Sequence, residues 1–143
     1  MSSKEEEKSK IREQLEEVEY YLLDKRNIDV IYGQDLPNAF CGDYISINSR
    51  QNLRYQLHTL LHEAGHALIR SKKDRFEKEY PGLKKRNNSV ERKLDTLKEE
   101  FQAWDRGKKL ADRLGLELNE AWWHRHKKDC LYDYVRWASN VGG

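Results

Sequence analysis

A helix carrying His62-Glu63-Ala64-Gly65-His66 limits what this chain can become more than any other feature. Residues four apart lie one above the other on a single helix face. His62 and His66 can therefore offer two imidazole nitrogens to one metal ion about 2 Å away. Glu63 is turned by roughly 100° from His62. That sets its carboxylate beside the ion, where it can take a proton from a bound water. Leu53, Leu57, Leu60, Leu61, Ala64 and Leu68 recur around the motif at three- and four-residue spacing, as a core-facing stripe requires. The histidines border that stripe and are expected at the edge of the core, facing a cleft. Gly65 costs a helix about 1 kcal/mol relative to Ala. Its presence predicts a second backbone segment passing close to the metal.

The run Thr59-Leu60-Leu61-His62-Glu63-Ala64-Gly65-His66-Ala67-Leu68 resembles the active-site helix of the zincin metallopeptidases. Metzincins add a third histidine shortly downstream. Here Ala67-Leu68-Ile69-Arg70-Ser71-Lys72 follows, without one, which excludes that branch. Gluzincins take the third ligand from a glutamate on a second, downstream helix. Glu100-Phe101-Gln102-Ala103 resembles their E-x-x-A-D ligand motif. The resemblance implies one zinc ion per chain held by His62, His66 and Glu100, with Glu63 as general base. It also implies the small core shared by the ImmA/IrrE-like and SprT-like groups, over about Ile11 to Leu114. One departure stands out. Trp104 occupies the place of the acid that steadies a zinc-bound histidine in the family, and Asp105 or a backbone carbonyl is the expected substitute.

Glu99 competes with Glu100 for the third position. Leu94, Leu97, Phe101, the stem of Lys108 and Ala111 trace the expected buried stripe, which Glu100 flanks. Glu99 falls about 100° away, toward a solvated side with Lys98 and Arg92. Helix phase therefore favours Glu100. Ala103, three residues on, is small enough to let the two helices approach.

The chain's 143 residues suit one domain with a single core. Charged residues make up 36%, against 37% hydrophobic, which points to a small core and long solvated helices. No apolar run exceeds four residues, so no membrane span is expected. The N-terminus lacks the hydrophobic stretch of a signal peptide. Cys41 and Cys130 are too few for a disulfide scaffold, and a cytoplasmic setting is expected.

The expected fold class is α+β, mainly helical, with about four helices and a small sheet of two or three strands. A first helix runs from about Ser3 to Asp24, burying Ile11, Leu15, Val18 and Leu22. Ile28 to Gly33 and Tyr44 to Asn48 read as strands, with a turn at Asp35-Leu36-Pro37-Asn38-Ala39 between them. Asn48 or Ser49 is expected to cap the motif helix. Ser71 to Asn88 reads as a mobile surface loop, a third helix runs from about Ser89 to Leu114, and a fourth from about Asn119 to Ala138.

These parts fit peptide hydrolysis, with an extended protein or peptide substrate pairing along the edge of strand Tyr44–Asn48. His124, His126, Tyr132 and Tyr134 are candidate oxyanion donors. His58 lies about 12 Å from His66 along the helix axis, too far to share one ion, and a supporting or surface role is expected. Trp122-Trp123-His124-Arg125-His126-Lys127-Lys128 interleaves aromatic and basic residues, as nucleic-acid surfaces do. The formal net charge of only +2 argues against nucleic acid as the main partner. Two other readings remain: a non-catalytic metal-binding module, and a DNA-associated SprT-like protease. A monomer is expected from the heavily charged first helix.

Overall fold

The structure, a computed structural model, describes residues 3–140. It is a mainly helical α+β fold of five helices and one three-stranded sheet. Helix α1 (Ser3–Arg26) buries Ile11, Leu15, Val18 and Leu22 as the spacing predicts, together with Gln14 and Tyr21. The chain leaves α1 through Asn27 at φ 55°, a left-handed position that asparagine tolerates. Ile28 N–H then returns to the Leu22 carbonyl at 3.0 Å.

Strands β1 (Asp29–Gly33), β2 (Ala39–Phe40) and β3 (Tyr44–Asn48) form the sheet in the order β1-β3-β2. β3 runs parallel to β1, with Val30 opposite Ile45, and antiparallel to β2, with Phe40 opposite Ile45. β3 is thus the central strand and offers no free edge. This corrects the expectation that a peptide pairs along Tyr44–Asn48, and leaves β2 as the outer strand on that side. Ile45 and Ile47 are fully buried, and Ser46 between them donates its hydroxyl to the Pro37 carbonyl at 2.5 Å.

Helix α2 (Leu53–Arg70) carries the motif and is buried on every side from Gln56 to Ala67. Its cap is Asn52, whose side chain accepts from Tyr55 N–H at 2.8 Å. Asn48 does not cap the helix; it accepts from Arg50 N–H and shapes the preceding turn. The segment expected as a loop is ordered instead. It holds α3 (Lys73–Glu79) and a single 3-10 turn (Pro81–Lys84) tied to the next helix by Gly82 N–H donating to the Asp95 carboxylate at 2.6 Å. Its high charge hid a helix whose end is held by Lys98 Nζ, which donates to the Glu79 carbonyl at 2.7 Å.

Helix α4 (Val90–Arg113) is capped by Ser89 and ends at Gly115, φ 72°. Its inner face differs from the expected one. Leu94 is 60% and Phe101 50% exposed, while Glu99, Glu100, Ala103, Trp104, Gly107, Leu110 and Ala111 face inward. The reason lies in α2. At Gly65 an added Cβ would overlap the Ala103 carbonyl, and at Gly107 it would sit 2.5 Å from the Leu61 carbonyl. Two glycines and Ala103 let the backbones of α2 and α4 touch, so the close face is small and polar rather than leucine-rich. Helix α5 (Glu120–Ser139) is capped by Asn119 and packs Trp123, His126 and Leu131 against α2 and α4. Among the described residues no helix is long and apolar enough to cross a membrane.

Candidate metal centre

The α2–α4 contact brings His62, His66 and Glu100 together. Their ligand atoms all lie within 4.8 Å of one another, and each residue is less than a tenth exposed. His62 Nε2 is 3.1 Å from Glu100 Oε1, and His66 Nε2 is 2.9 Å from Glu100 Oε2. A metal-ligating imidazole offers a lone pair from one nitrogen and donates its other N–H elsewhere. His66 is arranged in that way: Nδ1 lies 2.7 Å from Glu99 Oε2, which leaves Nε2 to face Glu100.

Glu99 is therefore inside, only 3% exposed, which overturns its placement on the solvated side. Arg70 holds it in a two-pronged clamp, Nε to Oε2 at 2.8 Å and Nη2 to Oε1 at 2.7 Å. Glu99 is absent from the group that can hold an ion; it supports His66 from behind. A signal for this pair lay in the sequence. Arg70 follows His66 by four residues and extends the His58, His62, His66 stripe toward Glu99.

Trp104, which stands where the resemblance implies an acid, lies over His62, the rings 4.5 Å apart and 25° from parallel. His62 Nδ1 and Trp104 Nε1 are both buried without a hydrogen-bond partner. Asp105 does not substitute for the missing acid: it is exposed and pairs with Lys109 at 3.0 Å. His66 thus has a carboxylate behind it, and His62 a flat indole.

The electrostatics favour positive charge at one point. Burial works against charge on His66, but the hydrogen bonds to Glu100 and Glu99 outweigh it and push its pKa up to about 10. Burial likewise opposes charge on Glu100, and the His62 and His66 contacts pull it down to about 2. Two imidazole nitrogens and one carboxylate oxygen converging in this way fit a divalent ion of the borderline kind. The buried His62-His66-Glu100 group can hold a metal ion.

Glu63 is 8% exposed and stands beside this group rather than in it. Burial raises its pKa, and the fields of His62 and His66 only partly counter that. The Phe40 amide of β2 also acts on Glu63. Cys41 N–H goes to the Tyr44 carbonyl, so strand alternation turns the Phe40 amide outward, away from β3.

Of the four candidate oxyanion donors, Tyr134 is the one whose phenol feels the site: burial first, then the charges of Glu100 and Glu63, push it up to about 12. Tyr132 is 61% exposed, and the His124 side chain stands in the open beside Glu120. His126 is buried and engaged elsewhere, its Nδ1 3.1 Å from His58 Nδ1 and its ring stacked on Tyr55 at 3.8 Å. His58 is accordingly a core residue, 1% exposed. Trp123 is buried too, whereas Trp122 and Trp137 remain partly exposed beneath Arg54 and Lys93 respectively. Compared with known protein families, curated proteins and solved structures, the chain matches none.

Proposed function

We propose that the chain is a zinc-dependent metallopeptidase. The observation that carries this reading is the pairing of a buried His62-His66-Glu100 ligand group with a separate buried carboxyl, Glu63, one residue from the first ligand. His62, His66 and Glu100 would hold the zinc, which would supply Lewis acidity to the reacting oxygens. Glu63 takes the proton of the attacking water and delivers it to the departing amine nitrogen. Its raised pKa suits both steps, because the proton must be accepted and then released. Tyr134, protonated at neutral pH, is the donor nearest in character to what a developing oxyanion needs. The substrate is an extended peptide lying against the outer side of β2, where Phe40 turns its backbone outward.

The test is metal content of the untagged protein together with cleavage of an unfolded protein substrate. Glu63→Gln should keep about one zinc per chain and lose cleavage; a variant that still cuts removes Glu63 as the base. Glu100→Ala should lose the zinc. The burial of Glu63 favours one other reading, a metal-stabilised interaction module without turnover. That reading predicts zinc retention, no hydrolysis, and partner binding indifferent to Glu63→Gln.

A further inference from the structure

A second concavity lies on the other side of α4. Lys98, Gln102 and Arg106 line it, the first two about 160° and the third about 120° around the helix from Glu100. The cavity measures about 580 Å³ and is bounded by the ends of α1 and α2, by α3 and by α4. Six of its side chains are cationic: Arg26, Lys72, Arg75, Lys98, Arg106 and Arg113. Glu79 is the single carboxylate among the lining residues. Six against one leaves an excess of five positive charges, more than the +2 of the whole chain.

Glu79 is already engaged. Arg75 Nε contacts its carboxylate at 2.9 Å, and Lys98 Nζ donates to its backbone carbonyl at 2.7 Å. Arg26, Lys72, Arg106 and Arg113 face no carboxylate within ion-pair distance among the described residues. Lys108, also on α4, by contrast meets both Asp112 and Glu120. Crowded like charges repel unless an anion joins them.

We propose that this cavity binds a compact oligophosphate, a di- or triphosphate group that is either free or carried by a nucleotide. Guanidinium groups grip phosphate oxygens in pairs, and Arg26, Arg106 and Arg113, three of the lining cations without a carboxylate partner, carry them. The charges converge on a hollow from separate segments rather than lining a stripe, which suits a small ligand better than a nucleic-acid strand. The aromatic member of the lining, Tyr80, is 3% exposed and has no free face for a base to stack on. The phosphates, not a base, are what the cavity reads.

The test is calorimetric titration of the full chain with sodium tripolyphosphate and, separately, with ATP at low salt. Saturable 1:1 binding is expected, weakening as salt rises. Arg106→Gln with Arg113→Gln should weaken it by about tenfold or more. Both residues are exposed, so the fold survives the change. Lys127→Gln with Lys128→Gln, a basic pair on α5 outside the cavity, should leave the affinity unchanged, as should His62→Ala at the metal centre. Equal affinity for both ligands assigns the triphosphate group itself; tighter ATP assigns a nucleotide. Four results would overturn the proposal: no saturable binding, equal loss in the Lys127/Lys128 variant, loss in His62→Ala, or a single-stranded oligonucleotide that outcompetes tripolyphosphate.

Discussion

His66 Nδ1 lies 2.7 Å from Glu99 Oε2, and that one contact assigns different roles to two adjacent glutamates. Glu100 faces Nε2 of the same ring and joins the ligand group; Glu99 holds the ring from behind and is itself clamped by Arg70. The imidazole is gripped on both nitrogens, so its tilt is set before any ion arrives, and Glu99 keeps a proton on Nδ1 when Nε2 gives up its own to an ion.

Removing the charge behind His66 should weaken metal binding without abolishing it. Glu99→Gln keeps an acceptor for Nδ1–H but loses the Arg70 clamp, and a drop of about 10- to 100-fold in zinc affinity is expected. Competition against a chromophoric chelator measures it. Glu100→Ala should cost far more. If Glu99→Gln proved the more damaging of the two, the roles of the glutamates would be reversed.

The motif on α2 was legible because its chemistry depends only on residues four apart in one helix. The close crossing was legible too, since Gly65 makes sense only where another backbone arrives. What failed was the phase of α4. Leu94 and Phe101 look like core by type, yet the face that meets α2 holds Ala103, Gly107 and two glutamates. Hydrophobic periodicity cannot find a buried face built from ligands and small residues. The central position of β3 was hidden for a related reason: β2 is two residues long, too short to leave an alternating pattern.

The α4 phase can be tested by mutation. Trp104→Ala opens a cavity in the core, and a loss of about 3–5 kcal/mol is expected. Phe101→Ala, on the exposed side, should change stability by no more than about 0.5 kcal/mol. Urea unfolding of both variants decides it. A larger loss at Phe101 would place that residue in a buried interface.

The His58–His126 pair predicts acid sensitivity. Burial, then His126 and Arg54, lower His58 to about 3; burial, then His62, lower His126 to about 4, with Asp129 opposing. Both are neutral in folded and unfolded chains well above pH 6.5. As pH falls below that value, the unfolded chain takes up protons that the folded one refuses, so stability drops down to about pH 3. His66 acts in the opposite range. Its raised pKa gives stability fully present below 6.5 and lost as pH rises toward about 10. Glu63, raised above 4.5 by burial, works in the opposite sense to the histidine pair: its protonation stabilises the fold as pH falls toward 4.5. The measurement is therefore a difference: unfolding midpoints of the wild type and of His58→Phe with His126→Phe, at pH 7 and pH 5. The wild type should lose more on acidification than the double variant, and equal losses would remove the pair as the cause.

Gly65→Ala tests whether the metal centre depends on backbone contact between α2 and α4. In an isolated helix this change stabilises by about 1 kcal/mol. Here the new methyl meets the Ala103 carbonyl, which is main chain and cannot rotate away. Relief requires the helices to part, and Glu100 would move away from His62 and His66 with them. Overpacking of this kind costs about 1–3 kcal/mol or more, so the net sign should be destabilising. Zinc affinity should fall along with stability. Gly115→Ala is the control, since no atom lies within 4 Å of a Cβ there and the site is remote from the crossing. It should lose stability through its φ of 72° while leaving zinc affinity intact. If Gly65→Ala were stabilising, or left zinc affinity unchanged, the close crossing would not be what holds the three ligands together.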